Sequence, residues 1–587
     1  MLPKFAALRS RGSSGEKGKQ FKRFGSEQIQ TKNEFVSSKS EGSDFSSKSS
    51  LSDKLSYHSS PVSPAFYNSP IATRALDERS SQSSFGKYSN YDGGETPTAS
   101  SSALSEDIDI GPSSLLSYED AEEQFLEDHE GYFLHLSVNN VRRAEYPKLD
   151  LQRIIYLDYA SSPLYSRFQV EQHMRFLLEE TNAFLGSIYT SETSNPQQDK
   201  YVNSTAQYIL DLLNTTQTDY SVIFTPCLSA SYHLISEIYH FQRGSVLLAS
   251  RDNQHAIRYV IKSAMQSNAK VGAVPLRNKD LLIHEQDMHK IIRKQGQNGR
   301  RCGLLIYPAQ SFSSGICHPL SWIVGAQQHN WEVLLDVSSC LPVVRVDLSL
   351  YQPEFVIGST HHILGYPSGV GFLLVRKSAY SVSREKGSVR LKAARTSDDG
   401  ESVHVVKEGE NVSTHIFAAL RFGFEHLESI GIEAIQKRGE SLISWLVKSL
   451  KSLKHMSGEK PLLQLYGSTD RKHRGSILAF NVLDPTGNIL PARLVQKLAV
   501  RNNIFLGICT LSDPNLSSIL HQKPEKRADG ANLDPPSSNL EAVRLSLGPI
   551  SAFEDAYRLA QFLCRFRDEE YMAIEAADYV EELHNSF

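Results

Sequence analysis

Between about Tyr156 and Lys377, short apolar runs alternate with stretches whose apolar residues recur every three or four positions. Such short runs are typical of strands that are buried on both faces, and the intervening spacing is typical of amphipathic helices. The runs are SVIFTP, SVLLAS, GLLIYPA, EVLLDV, FVIGS and GFLLV, which end at Pro226, Ser250, Ala309, Val337, Ser359 and Val375, respectively. This alternation predicts an α/β fold in which helices cover a mainly parallel sheet.

The hydrophobic pattern also divides the rest of the chain into segments. The first 117 residues are rich in Ser, Gly, Asn, Gln and Lys and have few periodic apolar positions, which predicts a disordered tail. We expect the following order: tail 1–117, N-terminal segment 118–155, large domain 156–380, polar insertion loop 381–411, small C-terminal α+β domain 412–570 and tail 571–587.

Charge and cysteine usage exclude several classes of function. The formal net charge is -4 and the charges are mixed along the chain, so we expect no nucleic-acid partner. No apolar run approaches the roughly 20 residues that a membrane span needs, so we expect no membrane-spanning segment. The six cysteines form no CxxC pair, so we expect no metal site. A reducing cytoplasmic location is expected. The basic start of the chain leaves plastid or mitochondrial targeting open.

Five collinear motifs then point to a family. They are YLDYASSPL, PAQSFSSGICHPLSWI, EVLLDVSS, STHHILGYPSGVGFLLV and VRLSLGPISAFEDAYRLAQFL. Together they resemble the class V aminotransferase and cysteine desulfurase family, in particular the N-terminal desulfurase domain of molybdenum cofactor sulfurase-like proteins of plants. The resemblance extends from about Tyr156 to Phe566. It implies the fold type I of pyridoxal-phosphate-dependent transferases, with a seven-stranded sheet in the large domain, and a homodimer.

The resemblance also implies a cofactor site for pyridoxal 5'-phosphate. Asp336 matches the carboxylate that faces the pyridine nitrogen, Gln310 matches the residue that binds the phenolic oxygen, and Arg544 matches the arginine that grips the carboxylate of a small amino-acid ligand. Further cofactor-binding candidates are Thr225, Ser229, His255, Ser359 and His361. Asp252 stands in register with the ring-stacking residue, and His255 follows three residues later.

The chain departs from the family pattern at the groups that perform the chemistry. His362 stands where the lysine that binds the cofactor covalently is expected, so a bound cofactor would be held non-covalently. Cys509 lies one residue before the first family cysteine position, and these positions hold Thr510 and Ser512. Cys227 replaces the glycine of the phosphate loop.

These departures leave three hypotheses. The first is a sulfurase-like protein that is catalytically impaired and acts through binding or regulation. The second is an active enzyme that holds pyridoxal or pyridoxamine phosphate non-covalently and uses His362 as its base, with Cys509 as the second catalytic candidate. The third is a protein that only resembles a sulfurase and moves no sulfur.

Overall fold

The structure is a computed structural model that describes ten segments of the chain. They are residues 115–179, 196–277, 281–296, 303–367, 369–385, 388–393, 405–406, 414–458, 460–511 and 540–585. All of them belong to one compact unit, Asp107–Phe587. The predicted disordered tail lies outside the described residues except for its last three positions.

The described residues form fifteen β-strands and sixteen α-helices. The strands are β1 (Ile155–Leu157), β2 (Tyr220–Thr225), β3 (Val246–Ser250), β4 (Lys270–Val274), β5 (Gly303–Pro308), β6 (Trp331–Asp336), β7 (Phe355–Ser359), β8 (Gly371–Arg376), β9 (Tyr380–Glu385), β10 (Ser388–Ala393), β11 (Val405–Val406), β12 (Leu463–Tyr466), β13 (Ile477–Val482), β14 (Ile504–Thr510) and β15 (Glu541–Ser546). The helices are α1 (Tyr118–Asp128), α2 (Glu130–Phe133), α3 (Val138–Glu145), α4 (Pro147–Leu151), α5 (Arg167–Glu179), α6 (Pro196–Leu212), α7 (Leu228–Ile238), α8 (Arg258–Gln266), α9 (Glu285–Gly296), α10 (Ser321–Gln327), α11 (Thr360–Leu364), α12 (Thr414–Ile430), α13 (Ile432–Ser452), α14 (Ala492–Arg501), α15 (Phe553–Cys564) and α16 (Glu569–Asn585).

The larger sheet contains eight strands in the order β11-β2-β8-β7-β6-β5-β3-β4. Strands β7, β6, β5, β3 and β4 run parallel, and β8 lies antiparallel between β2 and β7. Every residue of β5, β6 and β7 is buried, because helices cover both faces of the sheet. The predicted α/β architecture with a mainly parallel sheet is confirmed, and the seven expected strands are joined by the two-residue β11.

The smaller sheet contains five strands in the order β1-β14-β15-β13-β12 and is mainly antiparallel. Strand β1 falls at the start of the predicted large domain, yet it pairs in parallel with β14, where Ile155 lies opposite Ile504. The chain therefore passes through the smaller sheet before it enters the larger one. Helices α13, α14 and α15 contribute to the hydrophobic core beside this smaller sheet.

The loop after β5 connects the two sheets. The carbonyl oxygen of Gly315 accepts a hydrogen bond from the Gly475 amide, and the Ser314 carbonyl accepts one from the Arg474 guanidinium at 2.6 Å. Gly315 has φ +72°, and a Cβ there would lie 1.8 Å from the carbonyl oxygen of Ile477. Only glycine permits this close approach, so the loop holds the large sheet against β13.

The helices before β1 pack onto the C-terminal lobe. Arg142 of α3 makes two hydrogen bonds to Asp555 of α15, at 2.6 and 2.9 Å, and both side chains are buried. Arg438 of α13 stacks on the Tyr132 ring, with 4.0 Å from the guanidinium carbon to the ring centroid. The segment 118–155 is therefore part of the folded body.

Two further predictions differ from the structure. The insertion 381–411 was expected to be a loop, but β9 and β10 form an antiparallel pair and β11 joins the edge of the larger sheet beside β2. Residues 571–587 were expected to be a tail after the small domain, but α16 covers most of them and Met572 is buried against the smaller core. Among the described residues, no helix is long and apolar enough to cross a membrane. The compartment stays a prediction.

Candidate functional site

The candidate residues cluster at the carboxyl ends of the large-sheet strands. Thr225 ends β2, Asp336 ends β6 and Ser359 ends β7. Thr225 and Ser359 both lie opposite Gly371, the first residue of the antiparallel β8. Because parallel strands end at the same edge of a sheet, residues far apart in the sequence meet here, where open α/β sheets bind their ligands.

Asp336 is buried, and both of its carboxylate oxygens accept hydrogen bonds. The Ser338 amide donates to Oδ1 at 2.8 Å, and the Tyr232 hydroxyl donates to Oδ2 at 2.6 Å. Burial raises the pKa of Asp336, and the two hydrogen bonds oppose that rise. Burial and the neighbouring carboxylate raise the pKa of Tyr232 well above its usual value, so its hydroxyl keeps the proton that it donates.

Gln310 is fully buried, and both ends of its amide are engaged by the backbone. Its Nε2 donates to the Ser339 carbonyl at 2.5 Å, and its Oε1 accepts from the Ser476 amide at 3.0 Å. A Cβ on Gly475 would lie 1.6 Å from that Oε1. Gln310 therefore joins the loop after β6 to the start of β13.

The three candidate hydroxyls are placed differently. Thr225 Oγ1 lies 2.7 Å from Ser231 Oγ and 3.0 Å from the Cys227 carbonyl oxygen, and Ser359 Oγ donates to the Val370 carbonyl at 3.3 Å. Ser229 is exposed in the first turn of α7. The two buried hydroxyls thus make contacts within the chain, and Ser229 faces solvent.

His362 lines a small cavity between the two sheets, with an accessible volume of about 20 Å³, together with Ser338, Ser339 and Tyr159. That volume suffices for about one water molecule. His362 Nδ1 is buried without a hydrogen-bond partner, whereas Nδ1 of the preceding His361 lies 3.2 Å from the Gly365 carbonyl oxygen. Burial, together with the smaller effects of the neighbouring His361 and Arg544, lowers the pKa of His362 to about 4.

Arg544 of β15 is almost completely buried. Its Nη2 donates to Asp158 Oδ1 at 2.8 Å and to Ser161 Oγ at 2.5 Å, while Nε and Nη1 are buried without partners. The guanidinium carbon lies 4.1 Å from the centroid of the Phe312 ring. Arg544 is therefore a cation that Asp158 partly neutralises and that has two nitrogens without an acceptor among the described residues.

Cys509 is buried near the end of β14, and its thiol lies 3.5 Å from the Ser313 carbonyl oxygen. Burial raises the pKa of this thiol to about 12, although Arg544 acts in the opposite direction. The thiolate is the nucleophilic form of cysteine, so the described position does not favour nucleophilic attack near neutral pH. Position 512 lies outside the described residues.

His255 is exposed at the start of a short 3-10 helix, where its Nε2 lies 2.6 Å from Arg258 Nη1. Asp252 is buried instead, with Oδ2 2.8 Å from His318 Nε2. Burial alone would raise the pKa of Asp252, but the nearby His318 lowers it overall. The Asp252–His318 pair therefore occupies the place beside the strand end where the sequence predicted a ring-stacking residue.

Sequence reasoning missed Tyr232, His318 and Asp158 as parts of this region. The one usable signal was chemical: a tyrosine inside an apolar helix face needs a hydroxyl partner. The partner, Asp336, lies 104 residues away and could not be identified from spacing.

These contacts do not fit pyridoxal phosphate in the arrangement that the resemblance implies. No lysine is among the described residues that line the His362 cavity, and Asp336 already has a donor on each oxygen. The Thr225 and Ser359 hydroxyls are also engaged within the chain. A cofactor held non-covalently stays a prediction.

Comparison with known proteins gives consistent results. The family model described as aminotransferase class-V matches residues 155–507. The molybdenum cofactor sulfurase of Bos taurus is 28% identical over 470 residues, which are 73% of this chain and 52% of the bovine protein. The corresponding protein of Solanum lycopersicum is 25% identical over 510 residues, which are 76% of this chain and 60% of the tomato protein. The chain thus spans between half and two thirds of the length of these relatives.

Solved structures show the same fold. The apo cysteine desulfurase of Thermococcus onnurineus superposes with a TM-score of 0.55 at 15% identity, covering 73% of this chain and 97% of that one. A C-DES mutant with glycine covalently linked to its pyridoxal-phosphate cofactor superposes with a TM-score of 0.53 at 14% identity, covering 73% and 99% of the two chains.

Proposed function

Because this chain belongs to the aminotransferase class-V family, we propose that it is a molybdenum cofactor sulfurase-like protein that does not turn over cysteine and acts instead by binding. The observation that carries this proposal is that His362, which the sequence resemblance matches to the cofactor-binding lysine, lines the small cavity between the sheets. Imidazole has no primary amine and cannot form the covalent link to an aldehyde cofactor.

The thiol chemistry supports the same conclusion. A desulfurase needs a cysteine thiolate that reaches the sulfur of its substrate. Burial keeps the Cys509 thiol protonated near neutral pH, and the sequence from Ser512 to Asn539 contains no cysteine that could replace it. Two independent groups that the reaction requires are therefore unsuitable.

We infer that a small carboxylate, such as that of an amino acid, is the ligand class that the site retains. Arg544 supports this inference because its buried Nε and Nη1 have donor hydrogens without acceptors. A carboxylate oxygen accepts strongly from either of these charged nitrogens. A protein that binds a carboxylate ligand without turnover needs the arginine of the family pattern. It needs neither the lysine nor a reactive thiol.

Active use of His362 as a base is the second candidate. Its unpartnered Nδ1 favours that hypothesis, because a base needs a free lone pair. Its lowered pKa weighs against it, because a nitrogen with a pKa of about 4 accepts a proton poorly at neutral pH.

Purified full-length protein supplied with pyridoxal phosphate tests the proposal. We expect no cofactor that borohydride fixes to the chain, and no sulfide or alanine released from cysteine. An active desulfurase of the same fold, assayed in parallel, shows that the reagents work. Borohydride-fixed cofactor together with sulfide release would refute the proposal, and release that His362→Gln abolishes would establish the second candidate.

We also propose that the chain forms a homodimer. Helix α5 supports this, since Met174 and Leu178 are 58% and 76% exposed on it. Light scattering should give twice the monomer mass, and Leu178→Glu should shift the protein to monomer. Met265→Glu, at another exposed apolar residue, should leave the mass unchanged. A monomeric wild-type protein would exclude this assembly.

A further inference from the structure

Tyr232 and Asp336 form a closed pair at the centre of the candidate site. Tyr232 is fully buried on α7, Asp336 is 1% exposed at the end of β6, and the hydroxyl lies 2.6 Å from Oδ2. Oδ1 is taken by the Ser338 amide. Each carboxylate oxygen therefore has a donor that the chain itself supplies.

A protonated pyridine ring needs one of these oxygens. The cofactor's ring nitrogen is normally paired with a carboxylate, which keeps the nitrogen protonated. A carboxylate oxygen has a second lone pair, but a second donor requires space beside Oδ2. Neither Asp336 nor Tyr232 lines the His362 cavity, and Tyr232, whose hydroxyl lies 2.6 Å from Oδ2, is itself fully buried.

The buried Asp336 carboxylate is stabilised by a neutral donor and not by a cation. Burial penalises the Asp336 carboxylate, and no arginine, lysine or histidine contributes to its pKa. The neutral Tyr232 hydroxyl relieves part of that penalty without adding a charge. A ring cation would have to displace this donor and leave a buried hydroxyl without its acceptor.

We propose that Tyr232 excludes pyridine cofactors from this site, because its hydroxyl occupies the position that a ring nitrogen would need beside Asp336. This inference rests on the proposed function and deepens it: besides the absence of a lysine at position 362, the chain carries a second and independent barrier to the cofactor. Tyr232 is thus a specificity-determining residue.

The experiment is a titration of full-length variants with pyridoxal phosphate, followed by equilibrium dialysis and by the absorbance of bound cofactor. Tyr232→Leu removes both the hydroxyl and the ring while keeping an apolar helix residue. We expect it to bind pyridoxal phosphate at least about tenfold more tightly than the wild type. Adding Asp336→Asn to this variant should abolish the gain. Inorganic phosphate serves as the control ligand and should bind all variants equally.

Tyr232→Phe is the matched variant that removes only the hydroxyl, and it decides the question if the leucine variant does not fold. A severalfold gain in affinity supports the inference. An unchanged affinity in a folded Tyr232 variant, or a gain that survives Asp336→Asn, overturns it. These outcomes are separate from the proposed function, which fails only if the wild-type chain holds borohydride-fixed cofactor and releases sulfide.

Discussion

Replacing Arg474 by methionine should lower the free energy of unfolding by about 4 kcal/mol. The guanidinium is buried and donates to the carbonyl oxygens of Ser468, Tyr466, Ser314 and Ile477, at distances between 2.5 and 3.2 Å. Methionine keeps much of the volume but leaves these acceptors without donors, each at a cost of about 1 to 3 kcal/mol. Part of this loss is offset, because the substitution also removes a buried charge without an acidic partner.

The pKa of Arg474, which burial lowers to about 10, shows how strongly the site penalises the cation, yet the side chain remains charged at neutral pH. Urea unfolding of the full chain near neutral pH measures the effect. Arg471→Met is the control: its ion pair with Glu440 is solvent-exposed and should contribute less than about 1 kcal/mol. Equal losses in the two variants would show that Arg474 does not hold the lobes together.

The fold was largely predictable because each motif lies at the end of a buried strand. The run EVLLDV identified β6 and placed Asp336 at its carboxyl end, where the structure has it. The family was predicted correctly for the same reason, because several motifs that lie at strand ends and in the same order along the chain are specific to one family. The parallel pairing of β1 with β14 was not predictable, because nothing in a three-residue strand specifies a partner about 350 residues away.

Other differences have distinct physical causes. The insertion did carry a strand signal, because Val389, Leu391 and Ala393 of β10 alternate with polar residues. The prediction missed it because the segment as a whole is polar. For α16 the signal was also present, because Met572, Ala576 and Tyr579 recur at helical spacing and pack against the smaller core. The prediction missed this helix because it ended the small C-terminal domain at residue 570.

The candidate site was predictable as a set of positions but not as a set of contacts. The resemblance identified Asp336, Gln310 and Arg544, which are all buried near the junction of the two sheets. It could not give the donors that engage them, because Tyr232 and Asp158 are ordinary core and turn residues in the sequence. The chemistry of this site depends on those partners, and therefore on the tertiary structure.

Acid should destabilise the protein through His362. Burial lowers its pKa from 6.5 to about 4, with His361 and Arg544 as the charged neighbours that act in the same direction. Between these two values the unfolded chain binds a proton at this position and the folded chain does not, so stability is complete above about pH 6.5 and is lost as the pH falls towards 4. At about pH 4.5 the loss attributable to His362 should be about 2.5 kcal/mol relative to pH 7.

His362→Gln isolates this contribution, because glutamine keeps a polar side chain but does not titrate. The difference in unfolding free energy between pH 7 and about pH 4.5 should shrink by about 2.5 kcal/mol in this variant, as measured by urea unfolding at both pH values. His240→Gln, at an exposed histidine, should leave the difference unchanged. Other buried histidines, His426 among them, also have lowered pKa values and account for acid sensitivity that remains. An identical pH dependence in wild type and His362→Gln would mean that the folded chain accepts a proton on His362 as readily as the unfolded one, which the buried and unpartnered Nδ1 argues against.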